Sequence, residues 1–441
     1  MTGWLVLLPA AAADRIAAAT CGWGYLNLAI SIPHQLAGVV GVGERDRLML
    51  PTLLGLPRGH VLNSVDVIPR SAVWHRADPL LHAAWLDCRL RDATLTTTGF
   101  RDLLTRGWVN PPADRPRLTL THAPGAELAW AAWWLDRHQA APTFLEVLDR
   151  PGLGWDQLRP GWPVDTLRAA RVTLVGTGSI GAAAAHALAA YGVGILALVD
   201  PDRLLAHNLV RHQLTARYLG LAKVEGLAEQ LGEAWPQLTV EPLAWDVVAD
   251  ADRMRPLFAA SDLIVCAADG VAPRRVVSHL ARRAGRPAVL ACVLEDGEIG
   301  EVLRLRPWPT AGCLLCQRQH LTASGTLDPE PTLDVPYGQG TAHRPMTAVA
   351  GDLHLVGQLA AKAAIALLLE NAGYHEQLLP GDQLVVGLRP RPGLPTPFNP
   401  SHAGALRWSP LGPPFPGCPT CQPEPTPPPS SADAADPGRS P

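Results

Sequence analysis

The stretch RVTLVGTGSIGAAAAHALAAYGVGILALVD, residues 171–200, decides how the rest of the chain is read. A β-branched run, Val172 to Val175, feeds three glycines, Gly176, Gly178 and Gly181. A small-residue helix is expected from about Ala182 to Tyr191, then a second apolar strand, Ile195 to Val199, closed by Asp200. Strand, glycine turn, helix and strand in this order make a nucleotide-binding βαβ unit. The glycines let the backbone turn tightly and approach a phosphate, while the helix N-terminus offers free N–H groups and partial positive charge. Asp200, about twenty residues past the turn, is placed to accept hydrogen bonds from ribose hydroxyls. The pattern says nucleotide without saying which.

The residues beyond Asp200 narrow the choice. Asp200, Asp202, Asn208, Arg211, Gln213 and Lys223 fall close together in the run DPDRLLAHNLVRHQL and the LGLAK that follows. A nicotinamide cofactor would already be held by the glycine turn and the ribose acid, leaving Arg211 and Lys223 without a task. Asn and Gln orient by hydrogen bonding, and the two cations suit a triphosphate. Lys223 and Lys362 are the chain's only lysines among 37 basic residues, which makes a retained ammonium informative. Further on, a strand over Leu263–Cys266 leads into Asp269, at the sheet edge where such folds bind ligands. A carboxylate facing phosphates makes sense when magnesium bridges them.

Two CxxC pairs, Cys313/Cys316 and Cys418/Cys421, complete the set. Four thiolates at that spacing suit a closed tetrahedral zinc site that staples the end of the chain to the sheet. Cys21, Cys88, Cys266 and Cys292 read as buried small hydrophobes. Eight cysteines in 441 residues form no disulfide framework.

From about Arg159 to Cys421 the chain resembles the ThiF/MoeB/ubiquitin-activating superfamily of ATP-dependent adenylating enzymes. The resemblance rests on the glycine turn, the Asp-x-Asp…Asn-Leu-x-Arg run, the Gly-x-x-Lys lysine, the strand-terminal Asp269 and the paired CxxC. It implies that Gly176, Gly178 and Gly181 shape an ATP site and that Asp200 binds ribose. Asn208, Arg211, Gln213 and Lys223 would contact phosphates, and Asp269 would hold magnesium. It also implies a reaction in which the C-terminal carboxylate of a ubiquitin-like protein or peptide attacks the α-phosphate, giving an acyl-adenylate and pyrophosphate. A homodimer is the family habit, with an arginine reaching a partner subunit; Arg150 and Arg159 are candidates. His212 departs from the family's Asn-Leu-x-Arg-Gln, and Ser179 from its Gly-Gly. Relatives that form thioesters carry a cysteine in or near the crossover loop, and none lies between Cys316 and Cys418 here. The thiol of a later step would then come from a partner such as a conjugating enzyme.

The expected fold is an α/β doubly wound, Rossmann-like, mostly parallel sheet with a zinc knuckle, preceded by an N-terminal mixed α/β domain. The N-terminal region, residues 1–150, holds eight of the 14 tryptophans. Strands are expected at Trp4–Pro9, Leu26–Ile32 and Arg117–Thr121, and an amphipathic helix over Glu127–Gln139. The region carries no catalytic constellation and reads as an accessory binding or dimerisation module. Residues 151–421 form the adenylation domain, with later strands at Thr239–Leu243 and Ala288–Val293 and a helix at about Asp352–Glu370. The stretch Thr322–Ala342 reads as a long loop, and residues 422–441 as a disordered tail. His186 reads as a packing residue and Lys362 as a solvent-edge residue.

A formal net charge of −3 gives no basic excess for nucleic acid. The apolar run at Trp4–Ala13 is too short for a bilayer and lacks the flanks of a secretory signal, so a cytoplasmic location is expected. The leading expectation is adenylation of a ubiquitin-like C-terminus in a bacterial conjugation pathway, using ATP, magnesium and structural zinc. Adenylation of a precursor peptide in natural-product biosynthesis and a non-catalytic partner-binding scaffold are the alternatives.

Overall fold

A computed structural model describes residues 3–45, 48–56, 59–148, 155–307, 311–326 and 348–421. The tail 422–441, Arg150 and most of the loop at 322–342 lie outside the described residues. Backbone contacts divide the chain into two compact units, Met1–Leu153 and Gly154–Pro441.

The first unit contains β1 (Leu5–Pro9), α1 (Ala10–Ala18), β2 (Trp23–Ser31), β3 (Leu36–Glu44), β4 (Leu50–Pro51) and β5 (Val67–Arg76). They are followed by α2 (Pro79–Arg91), β6 (Leu95–Thr96), α3 (Thr97–Asp102), β7 (Arg117–His122), β8 (Trp130–Leu135) and β9 (Gln139–Leu148). Seven strands hydrogen-bond in the order β1-β3-β2-β5-β7-β8-β9, and β9 returns to pair in parallel with β1, closing a barrel. Closure removes the exposed edges an open sheet would leave. Val6, Leu8, Leu26, Leu28, Trp74, Leu118 and Leu120 form one core with Ile16 of α1. On a second side, Trp133 and Leu135 pack with Leu81 of α2 and Phe100 of α3.

The helix expected over Glu127–Gln139 is instead the strand β8 and a turn. Trp130-Ala-Ala-Trp-Trp-Leu135 is apolar at every position, so a period of 2 and one of 3.6 look alike in sequence. Pairing decides: β8 is bonded to β7 on one side and β9 on the other. Asp136 then turns the chain, its Oδ1 accepting from the N–H groups of His138 at 2.7 Å and Gln139 at 2.8 Å. The Gly41-Val-Gly43 glycines lie within β3.

The second unit begins with α4 (Trp155–Leu158), α5 (Val164–Ala169), β10 (Arg171–Val175), α6 (Ser179–Tyr191) and β11 (Ile195–Val199). It continues through α7 (Lys223–Ala234), β12 (Thr239–Leu243), α8 (Ala251–Ala259), β13 (Leu263–Cys266), α9 (Val271–Arg283), β14 (Ala288–Leu294) and β15 (Ile299–Leu305). The last elements are α10 (Leu314–Ala323), α11 (Ala350–Asn371), β16 (Gln383–Gly387) and β17 (Leu406–Ser409). The sheet runs β12-β11-β10-β13-β14-β15-β16-β17; the first five strands are parallel and the last three antiparallel. From β10 the chain winds outward through β11 and β12, then restarts on β10's other side with β13 and β14. That reversal makes the C-terminal ends of β10, β11 and β13 the topological switch point, where open α/β sheets bind ligands.

Both faces of the sheet are covered. Helices α6, α7 and α11 share one core with Leu174, Leu196 and Val265, while Met254, Phe258 and Val277 of α8 and α9 pack on Val175, Ile264 and Leu290. Small residues let α6 and α11 approach closely: a Cβ at Gly357 would lie 2.4 Å from the Ile180 carbonyl oxygen and 2.8 Å from the Ala183 Cβ. A buried carboxylate ties α10 to the sheet. Glu301, with no exposed surface, receives Arg318 at 2.9 and 2.6 Å, Arg274 at 3.1 Å and Gln383 at 2.8 Å. Although burial pushes its pKa up, these donors outweigh it and hold Glu301 down at about 2.

Candidate functional site

The three glycines at the end of β10 serve different ends. Gly176 has φ +84°, and a Cβ there would lie 2.4 Å from the Ala268 N, so the turn itself requires glycine. At Gly181 a Cβ would sit 1.8 Å from the Gly176 carbonyl oxygen. Gly178 has an ordinary φ of −66°, and a Cβ there would meet nothing within 4 Å among the described residues. Packing within this chain therefore explains Gly176 and Gly181, while no described residue fills the space before Gly178. Among the described residues no side chain caps α6. Its first N–H groups remain available to an anion.

Asp200 follows β11 and is nearly buried at 6% exposure. Its Oδ2 accepts from the Thr177 N–H at 2.7 Å and the Thr177 hydroxyl at 3.1 Å, and its Oδ1 accepts from the Asp202 N–H at 2.9 Å. Burial raises its pKa, opposed by Lys223 and these hydrogen bonds. Lys223 is the first residue of α7 and is 8% exposed. Its Nζ lies 2.7 Å from the Asp202 carboxylate.

Asp269 follows β13, just ahead of Gly270 and the uncapped start of α9. Its side chain is open to solvent and accepts no hydrogen bond among the described residues. It nonetheless lies in the hollow of the switch point, where desolvation by the surrounding protein raises its pKa and Lys223 and Arg211 pull it back. A hard divalent cation suits such an unused carboxylate. Arg211 is half-buried, and its guanidinium makes no ion pair among the described residues. Asp200, Asp202, Arg211, Lys223 and Asp269 thus share one electrostatic environment.

Two of the residues read from sequence are placed differently. The Asn208 Oδ1 accepts from the Leu205 N–H at 2.9 Å and closes its own loop, leaving the amide nitrogen for other partners. Gln213 is half-buried and makes no side-chain hydrogen bond among the described residues. His212 occupies the structural post instead. Its Nε2 lies 2.7 Å from the Thr177 carbonyl oxygen and its Nδ1 3.0 Å from the Leu214 N. Burial lowers its pKa to about 4, so the ring is neutral at physiological pH. His354, from α11, holds the Arg211 carbonyl oxygen at 3.0 Å. Thr177 lies inside the motif with no side-chain rule to mark it, and His354 lies 143 residues from its partner. Arg159 is paired with Asp165 on the chain's own surface.

The four cysteines converge. Cys313, Cys316, Cys418 and Cys421 are all buried, with Sγ atoms within 4.8 Å of one another and neighbouring pairs 3.6–3.7 Å apart. A tetrahedron of thiolates around zinc, with bonds of about 2.3 Å, has edges of about 3.8 Å. The Phe415 N–H already points at the Cys316 sulfur from 3.2 Å, as outer donors do around a metal thiolate. The residues fit a structural zinc.

Comparison with known proteins agrees with this architecture. A protein of Sinorhizobium fredii described as uncharacterized protein y4oA is 29% identical over 221 residues, 46% of this chain and 36% of that protein. The adenylyltransferase and sulfurtransferase UBA4 of Yarrowia lipolytica is 31% identical over 134 residues, 30% of this chain and 33% of its own. A molybdopterin-synthase adenylyltransferase of Salmonella typhimurium is 32% identical over 137 residues, 31% of this chain and 54% of its own. The chain therefore spans between about a third and a half of these relatives' lengths. A crystal structure of E. coli MccB with ATP aligns at 20% identity with a TM-score of 0.42, covering 58% of this chain and 68% of that one. The sequence pattern of the ThiF family matches residues 156–385, more than half of the chain and the whole switch-point site, and the chain belongs to that family.

Proposed function

We propose that this chain uses ATP and magnesium to adenylate the C-terminal carboxylate of a ubiquitin-like protein in a bacterial conjugation pathway, releasing pyrophosphate. The observation that carries the reading is the convergence at one switch point of an open helix N-terminus before Gly178, the cations Lys223 and Arg211, and the unused carboxylate of Asp269. Relatives named as adenylyltransferases support it.

The residues divide the work by their chemistry. The N–H groups at the start of α6 receive phosphate oxygens. Asp200, fixed by Thr177, has lone pairs left for ribose hydroxyls. Lys223 and Arg211 offset charge that builds on the phosphates as the acceptor carboxylate attacks, with most benefit in the transition state. Asp269 is the carboxylate that would hold magnesium, whose positive charge would help offset the charge on the phosphates.

The product of this chain alone is the adenylate. Cys266 has no exposed surface, and burial pushes its thiol up to about 11, so it is almost wholly protonated and a poor nucleophile near neutrality. A thioester step would draw its thiol from a partner. Offering the enzyme a folded ubiquitin-like protein ending in glycine, beside a short precursor peptide, separates the acceptor classes. Adenylate formed only on the peptide would replace the ubiquitin-like reading with the peptide one.

A further inference from the structure

We infer that His212 is a positioning residue that sets the direction of the Gly178 N–H toward a bound nucleotide, an inference that rests on the nucleotide reading of the switch point. The loop after β11 carries His212 back against the turn at the end of β10, 35 residues earlier, where the ring is 8% exposed. A backbone N–H only donates and a carbonyl only accepts. The Leu214 N–H therefore makes Nδ1 the acceptor, and the Thr177 carbonyl makes Nε2 the protonated nitrogen. One neutral tautomer satisfies both ends of the ring.

The consequence follows from the planarity of the peptide group. The Thr177 carbonyl and the Gly178 N–H belong to one trans peptide, and they point in opposite directions. Holding the oxygen against His212 at 2.7 Å therefore fixes where the Gly178 N–H points. Among the described residues that N–H donates to no protein acceptor and nothing fills the space before Gly178. Glycine flanks Thr177 on both sides, so without an anchor the local backbone has unusual freedom to rotate this peptide. Two further contacts make the anchor rigid. Thr177 is held to Asp200 by its own N–H and hydroxyl, and the Arg211 carbonyl beside His212 is held by His354. His212 acts on the nucleotide through Thr177 and Gly178, without touching it.

Two substitutions separate the ring's two bonds. The amide of His212→Asn reaches about as far as Nδ1, keeping an acceptor for Leu214 but no donor for Thr177. The amide of His212→Gln reaches about as far as Nε2 and restores that donor. The experiment is titration calorimetry of the full chain with ATP and magnesium, with melting temperature and zinc content measured alongside. We expect H212N to bind ATP about tenfold more weakly at unchanged zinc content, and H212Q to stay within about threefold of wild type, as loss and return of one hydrogen bond imply. H212N binding as tightly as wild type would overturn the inference, as would a folded H212Q weakened by tenfold. Should H212N fail to fold, the H212Q affinity decides by the same limits. A wild-type chain that binds no ATP with magnesium would overturn the nucleotide reading itself, whereas equal binding by wild type and H212N would leave that reading standing and remove only the role of His212.

Discussion

Lys223 and Asp202 are joined twice at the switch point. The lysine ammonium lies 2.7 Å from the Asp202 carboxylate, and the Lys223 N–H donates to the Asp202 carbonyl oxygen at 2.9 Å. The backbone bond fixes where α7 begins, and the ion pair parks the ammonium beside Asp200. Asp202 is half exposed and Lys223 nearly buried, so phosphates arriving from solvent would compete with a carboxylate that can turn away.

Removing the ammonium should therefore harm the reaction far more than the fold. Lys223→Ala should lower pyrophosphate exchange about 10²-fold or more, as loss of a charge-stabilising group does. Asp202→Asn should shift stability by about 1 kcal/mol or less, because its end of the pair is half exposed. Exchange rates and melting curves of the two variants check both statements.

Asp269→Asn should uncouple nucleotide binding from magnesium. The side chain is open to solvent and makes no hydrogen bond among the described residues, so the fold has little to lose. Wild type should bind ATP more tightly with magnesium than with EDTA, and in D269N that gain should largely vanish. An undiminished magnesium gain in the variant would assign the cation elsewhere.

The cysteine cluster should hold one zinc per chain, measurable by metal analysis of the purified protein. Cys418→Ser should lose the metal and lower the melting temperature, since a structural site contributes its binding free energy to folding. Glu301 anchors α10 to the sheet from the other side, so the lesion should loosen the Cys313–Cys316 end without dissolving the parallel strands.

Acid should weaken the barrel unit. His75 is fully buried, with neither ring nitrogen hydrogen-bonded among the described residues, and His122 is stacked on Trp130 at 4.3 Å. Burial, helped by neighbouring arginines, lowers both to about 4. The unfolded chain, with values near 6.5, binds more protons between these limits, so stability is fully present above about pH 6.5 and falls as pH drops toward about 4. The loss is on the order of 3 kcal/mol per ring. Melting curves at pH 7 and pH 5 should differ, and His75→Phe should narrow the difference; an unchanged difference would exonerate His75.

The parallel half of the sheet was legible because buried parallel strands are unbroken apolar runs bounded by glycine and acid. Strands β12 and β13 lie on the residues expected, Thr239–Leu243 and Leu263–Cys266, and α11 extends the expected helix by a turn's fraction at its start. The barrel was not legible. Its closure joins β1 to β9, with the Thr143 hydroxyl bonded to the Trp4 carbonyl at 2.6 Å across 139 residues, and no local pattern encodes such a pairing. Nor does one encode the antiparallel extension β15 to β17. At the site, the charged side chains that the fold gathers were visible as types and spacings: Asp200, Arg211, Lys223 and Asp269. Thr177, His212 and His354 were not, since their part is to hold backbone oxygens and carboxylates that only the folded chain brings near.

The central claim is that this switch point activates a carboxylate with ATP, and acceptor-dependent ATP–pyrophosphate exchange tests it most directly. The acceptors to try are the small proteins encoded beside this chain's gene. The account predicts exchange that needs one of them together with magnesium, and that disappears in Arg211→Ala and Lys223→Ala. Exchange that persists unchanged in Lys223→Ala and Asp269→Ala, or a zinc-loaded, folded chain that exchanges with no acceptor and binds no ATP, would contradict it.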